Sequence, residues 1–139
     1  MSTGGVDDQM RIAVAGAHLE GQPLNHQLTN RGAVLVERTR TGACYRMYAL
    51  ATDPPKPGLV RVPSTEEGAS IEVEVWALSL SGFAELVDEV PSPLVIGRVL
   101  LADGTDVAGF LCEPIALHDA LDITTFGGWR AYRASDPPP

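Results

Sequence analysis

The stretch Ala13-Val14-Ala15-Gly16-Ala17-His18-Leu19-Glu20-Gly21-Gln22-Pro23-Leu24-Asn25-His26-Gln27-Leu28 decides how the chain is read. An apolar run from Arg11 breaks at Gly16, and Pro23 opens a helical pattern in which Leu24 and Leu28 share a face at i and i+4. This spacing predicts a buried strand, a glycine-containing turn, and a helix over 23–31 that Gly32 ends in a left-handed cap. Such a turn offers unpaired backbone N–H groups beside the positive end of a helix, which suits a carboxylate or another oxyanion. His18 lies on the turn, with Asn25, His26 and Gln27 close behind. Groups that donate hydrogen bonds or carry a proton are thus concentrated there.

Composition narrows what the turn can serve. At 139 residues the chain fits one domain with a sizeable core, spanning 11–134. Its net charge of −8 and ten scattered basic residues argue against a nucleic-acid partner. No apolar run approaches the roughly 20 residues that span a bilayer. Residues 1–10 have neither the basic start nor the apolar centre of a signal peptide, so a disordered leader and a cytoplasmic setting are expected, with a frayed tail at 135–139. Cys44 and Cys112 sit in apolar contexts where a thiol acts as a small hydrophobe. Neither they nor the three histidines show metal-ligand spacing, so no metal and no cofactor are expected.

Outward from the turn, Ala33 to Thr39 and Cys44 to Ala49 read as a hairpin joined around Thr41-Gly42. The proline-rich Asp53 to Gly58 reads as a loop, Leu59 to Val62 as extended chain and Ser64 to Gly68 as a polar turn. Ile71 to Leu78 alternates, with Ile71, Val73 and Val75 on one face and Glu72, Glu74 and Trp76 on the other. Ser79 to Val90 predicts a helix, capped by Ser79 or Ser81, with Phe83, Leu86, Val87 and Val90 on one face. Arg98 to Ala102 and Val107 to Glu113 form a second hairpin around Asp103-Gly104. Short strands with two modest helices indicate an α+β domain, a mixed or mainly antiparallel sheet curled into a partial barrel with flanking helices.

Each candidate residue has a plain alternative. His18 is placed for general acid or base work, and it could equally be a hydrogen-bonded structural histidine. Asn25 and Gln27 could cap or orient the turn, and His26 belongs on a solvated helix surface. Glu72 and Glu74 default to a solvated face, but a sheet curled around a cavity would turn them inward and supply a carboxylate of raised pKa. Pro57-Gly58 either brings backbone close to a ligand or simply turns the chain. Arg61, Arg98 and Arg130 can pair with a substrate carboxylate or, more commonly, with surface acids. Backbone at Gly16, Ala17 and Leu19, together with Asn25, Pro57, Gly58, Glu74 and Ser92, makes up the candidate binding set around His18.

Several ordered blocks carry a resemblance. Val14-Ala15-Gly16-Ala17-His18-Leu19, Pro23-Leu24-Asn25-His26-Gln27-Leu28, Pro55-Lys56-Pro57-Gly58-Leu59, Ile71 to Trp76, Pro93 to Gly97, Gly109 to Glu113 and Asp122 to Tyr132 together resemble the C-terminal domain of allophanate hydrolase, a relative of the gamma-glutamyl cyclotransferase fold. The resemblance implies a small mixed barrel whose first turn lines a cavity, with the turn's backbone amides holding the substrate. Cyclotransferases carry a glutamate acid/base soon after the helix matching Ser79 to Val90. Here that stretch is Val90-Pro91-Ser92-Pro93-Leu94, so glutamyl cyclotransferase activity is not implied. The allophanate hydrolase relationship implies instead breakdown of N-carboxycarbamate, the product left when an amidase domain releases ammonia from allophanate, to carbon dioxide and ammonia. The expected partners are a small carboxylate substrate, a separate amidase chain and a second copy of the protein, with no membrane.

Overall fold

β5 (Glu72–Ser79) runs through the larger of two sheets in the computed structural model, which describes residues 9–135. β1 (Gln9–Val14) lies antiparallel to it on one side, and β2 (Val34–Arg40) lies antiparallel on the other. Beyond β1 come β7 (Asp106–Cys112), which is parallel to it, and then β6 (Leu94–Leu100). The order β2-β5-β1-β7-β6 is therefore mixed. A smaller antiparallel sheet has the order β4-β3-β8, from β4 (Lys56–Arg61), β3 (Tyr45–Leu50) and β8 (Leu121–Asp122). The two sheets form no closed barrel.

Three α-helices and two short 3-10 helices, at Pro114–Leu117 and Thr124–Phe126, complete the described residues. α1 (His26–Thr29) is much shorter than the expected 23–31, because residues 16–27 fold into successive tight turns, among them Asn25 N–H to Gln22 O at 3.1 Å and Gln27 N–H to Leu24 O at 3.0 Å, with Leu24 N–H reaching back to Ala17 O at 2.8 Å. Gly32 does end it at φ +76°, with the Ala33 amide reaching back to Leu28 O at 3.1 Å. α2 (Leu80–Glu89) forms where its periodicity predicts, although of the expected face only Leu86 is buried and Val87 is exposed, and of the two expected caps Ser79 is used, its Oγ accepting from Gly82 N–H at 3.0 Å. Leu86 is buried against the core, which is worth about 2 kcal/mol. α3 (Trp129–Ala134) lies in the tail and buries Trp129 and Tyr132.

The hairpin around Asp103-Gly104 forms, with Gly104 at φ +90° and β6 beginning four residues earlier than its expected start at Arg98. The expected pairing of β2 with β3 does not form. The chain changes sheets between them. Thr41, fully buried, donates its amide to Ile71 O at 2.9 Å, accepts Ile71 N–H on Oγ1 at 2.9 Å, and bridges Leu101. Those distant partners hold 41–44 as a crossing rather than a turn.

Three further expectations change. Gln9 and Met10, assigned to the leader, pair with Ser79 and Leu78, while 1–8 lie outside the described residues. The proline run becomes a strand at Lys56, because β4 is an edge where Pro57, opposite Ala49, need donate no hydrogen bond to the sheet. β5 alternates in type but not in exposure, since six consecutive residues from Val73 to Leu78 are buried. The core joins Ile12, Val14, Leu19, Tyr45, Met47, Ile71 and Val73, each at 0% exposure.

Candidate functional site

The turn after β1 is fixed at both ends. Leu19 N–H closes onto Gly16 O at 3.0 Å, Gln22 N–H onto Leu19 O at 2.9 Å, and Asn25 Nδ2 donates to His18 O at 2.9 Å. Gly16 is required by close approach, because a Cβ there would lie 2.1 Å from Pro57 Cδ. One contact thus seats the first turn against β4. Of the expected amides, that of Leu19 is spent on Gly16, whereas those of Ala17 and His18 meet no acceptor among the described residues; the next amide, Glu20, is spent on Glu74. The four-residue α1 is too short to supply the dipole expected from a longer helix.

His18 faces a cavity of about 220 Å³ between the turn, β4, α2 and β6. Its ring stacks on Phe110 at 4.7 Å and 15°, and its Nε2 hydrogen-bonds Gln27 Oε1 at 2.8 Å. With a carbonyl oxygen as acceptor, Nε2 carries the hydrogen and Nδ1 keeps a lone pair. Gln27 is steadied in turn by Arg31, which donates to Gln27 O at 2.9 Å and pairs with Glu89 on α2 at 2.6 Å. No bond to Nδ1 is found among the described residues, and no buried polar side-chain atom lacks a partner, so Nδ1 retains access to the cavity. Burial lowers the imidazole pKa, the Gln27 bond opposes this, and the positive charge of Lys56 lowers it further. With its pKa held below the ordinary imidazole value, His18 is neutral at pH 7.

Lys56 completes the site, from within a proline-rich stretch whose composition predicts a loop. It is the chain's single lysine, it is 7% exposed, and it lines both the main cavity and a small adjoining recess floored by Ala15, Gly16, Ala17 and Pro57. Among the described residues it forms no ion pair. Leu24, Leu94 and Phe110 give the cavity apolar walls.

Glu74 lies elsewhere. It is fully buried, and its carboxylate accepts from Glu20 N–H at 2.8 Å, Arg130 at 2.9 Å, Trp76 Nε1 at 3.2 Å and Arg38 at 3.3 Å. Burial alone would raise its pKa, but the Glu20 amide, Arg130 and Trp76 outweigh burial and hold the carboxyl below its ordinary value. This corrects both expectations, the solvated face and the raised pKa. Arg38 also pairs with Glu20, so the cluster ties the outer end of the turn to β2, β5 and α3.

The remaining candidates spread out. Leu19 packs in the main core. Asn25 orients the turn from behind, and His26 is exposed with Nδ1 bonded to Pro23 O at 3.0 Å. Gly58 faces Cys112 Sγ and Leu50, where a Cβ would sit 2.7 Å and 3.1 Å away, so it packs the sheets together. Ser92 is on the surface beside the cavity mouth, donating to Glu113 at 3.1 Å. Arg98 pairs with Asp106 at 2.5 Å. Cys44 and Cys112 are free thiols, and burial raises the pKa of Cys112. Among the described residues no group of three His, Cys, Asp or Glu side chains is arranged to hold a metal, and no helix is long and apolar enough to cross a membrane.

Fold and site define a class: a mixed α+β domain whose cavity, at the seam between two sheets, sets a neutral imidazole beside an unpaired ammonium. Residues 10–134 match the model of the allophanate hydrolase C-terminal domain, and the chain belongs to that family. It is 39% identical over 130 residues to urea amidolyase from Lachancea kluyveri, covering 91% of this chain and 7% of that protein. Its structure resembles Kluyveromyces lactis allophanate hydrolase, with a TM-score of 0.87 and 37% identity over 92% of this chain and 21% of that one. A uropathogenic E. coli-specific protein matches with a TM-score of 0.83 and 36% identity, over 91% of this chain and 96% of that one. An AIG2-like protein from Mus musculus shares the fold alone, at a TM-score of 0.55 and 18% identity over 78% of this chain and 82% of that one. The expected cyclotransferase-like architecture is borne out at the level of fold.

Proposed function

We propose that the chain breaks down a small N-carboxycarbamate-like carboxylate in urea and amide nitrogen metabolism, with His18 as the proton donor. The observation that carries this reading is the His18 imidazole, held on one edge by Gln27 and open on the other to a cavity that also contains Lys56. Family membership supports the substrate class, through relatives named for urea and allophanate breakdown.

In N-carboxycarbamate one nitrogen carries two carboxylates. As a C–N bond breaks, one carboxylate leaves as carbon dioxide, the bonding pair stays on nitrogen, and nitrogen takes a proton. The carbamate that remains releases a second carbon dioxide and, after another proton, ammonia. His18 by itself is neutral at pH 7, and an incoming dianion favours the imidazolium, raising the pKa that burial and Lys56 lower. Binding thereby loads the acid that the reaction consumes, and solvent reprotonates it afterwards. The apolar surfaces of Phe110 and Leu94 suit the uncharged product.

The test is carbon dioxide release from N-carboxycarbamate generated in place by an allophanate-cleaving amidase. His18→Gln should lower the rate by about 10²-fold or more, with the melting temperature little changed. Equal rates would remove His18 from the chemistry. A second reading, an accessory that docks on a separate amidase chain, draws on the length of the relatives, since the chain spans 7% of the curated urea amidolyases it matches. Co-purification with an amidase, undiminished in His18→Gln, would favour it.

A further inference from the structure

Lys56 is a costly residue to place where it is. A lysine this enclosed, with no carboxylate partner, gives up part of its hydration without an ion pair in return, which is why lysines are rarely buried unless paired. This chain has nine arginines and one lysine, and that lysine is 7% exposed. Carboxylates are within the neighbourhood but are not used. Asp53 and Glu89 line the same cavity, yet Lys56 pairs with neither, and Glu89 is engaged by Arg31 at 2.6 Å. No buried side-chain nitrogen is left unpartnered, so Nζ reaches the open volume of the cavity.

From this placement we infer that Lys56 is the anchor for one carboxylate of a small, doubly charged substrate, and that it holds the carboxylate that stays rather than the one that leaves. The inference rests on the decarboxylation reading above only for the second clause. A carboxylate that departs as carbon dioxide loses its charge in the transition state, so an ammonium bound to it would favour the ground state and slow the step. An ammonium on the retained carboxylate keeps its partner throughout. Its contribution is to binding, and the departing group is left to the apolar wall formed by Leu24, Leu94 and Phe110. Ala17 and His18, whose amides meet no acceptor among the described residues, line the same recess as Lys56.

Malonate is a stable probe of this arrangement, because it carries two carboxylates on one carbon where N-carboxycarbamate carries them on one nitrogen. The single lysine makes the readout direct: protein labelled with ε-carbon-13 lysine gives one side-chain resonance. Malonate should move that resonance saturably, and acetate at matched ionic strength should not. Calorimetry should show Lys56→Met and Lys56→Gln losing about 10- to 100-fold in malonate affinity, the span expected for one charge-assisted contact. In the carbon dioxide assay Lys56→Met should raise KM by a similar factor and change kcat by less. A lysine resonance unmoved by saturating malonate, or a Lys56→Met variant that binds malonate as the parent does, would overturn the anchor. If either variant fails to fold, the labelled parent protein decides. The two readings fail separately: undiminished turnover in His18→Gln, alongside malonate binding that needs Lys56, sinks the decarboxylation mechanism and leaves the anchor. Turnover that needs His18 but has the parent KM in Lys56→Met does the reverse.

Discussion

Two clusters of charge flank the turn after β1, and they are built oppositely. On the outer side Glu74 is saturated, with four donors from Glu20, Trp76, Arg38 and Arg130 around one buried carboxylate. On the cavity side His18 has one bond and Lys56 has no ion pair among the described residues. The difference separates structural from receptive polar groups. A buried charge that has spent its hydrogen-bonding capacity holds the chain together, and one that has capacity left over is set for a guest.

The largest test of this contrast is Glu74→Ala, which strands the Glu20 amide and the buried Trp76 Nε1 and takes from Arg130 and Arg38 the carboxylate they share. It should cost about 3–5 kcal/mol of stability by urea unfolding, whereas Lys56→Met should cost less than about 1 kcal/mol or stabilise the fold, because it removes a partly desolvated charge that has no ion-pair partner in the fold. Equal losses would erase the distinction. Next, Gly16→Ala drives a methyl into Pro57 Cδ and should cost about 1–3 kcal/mol, together with loss of malonate binding as the turn lifts from β4.

Both clusters also predict pH dependence, in separate windows. The imidazole pKa of His18 is lowered on folding, so the unfolded chain takes up a proton first. The stability linked to His18 is complete above the ordinary imidazole range, near 6.5, and declines as pH falls below it. The Glu74 pKa is also lowered, and its contribution is present above the ordinary carboxylate range and lost as pH falls through its depressed value. His18→Gln should flatten the upper part of the stability curve and Glu74→Gln the lower, read by urea midpoints from pH 7.5 to 3. The smallest effect is expected at the rim, where Ser92→Ala breaks an exposed bond to Glu113 and should change stability by about 0.5 kcal/mol or less and malonate affinity by less than about twofold.

What the sequence made legible was local. α2 could be read from its i, i+3, i+4 pattern and its serine cap, and the β6–β7 hairpin from Asp103-Gly104, because each is specified by neighbours in the chain. The turn bearing His18 was legible for the same reason. The hairpin expected between β2 and β3 failed because Thr41 is claimed by Ile71 and Leu101, 30 and 60 residues away, which no window around 41 contains. Glu74 was hidden similarly. Its alternating context matches a solvated face, and only arginines 36 and 56 residues distant turn that face into an interior. Lys56 was obscured by the prolines around it, although one signal was available: a lone lysine in a chain with nine arginines.

The seat of Gly16 against Pro57 also sets which boundaries of the cavity are adjustable. Its floor is the join between the two sheets, so enlarging the guest from below would mean prising the domain apart. The opposite lip, where Val90 and Pro91 follow α2, carries no such constraint and includes exposed positions. A designer seeking to admit a longer acid should therefore leave the floor intact and trim the lip, where each side chain can be shortened without loosening the architecture beneath it.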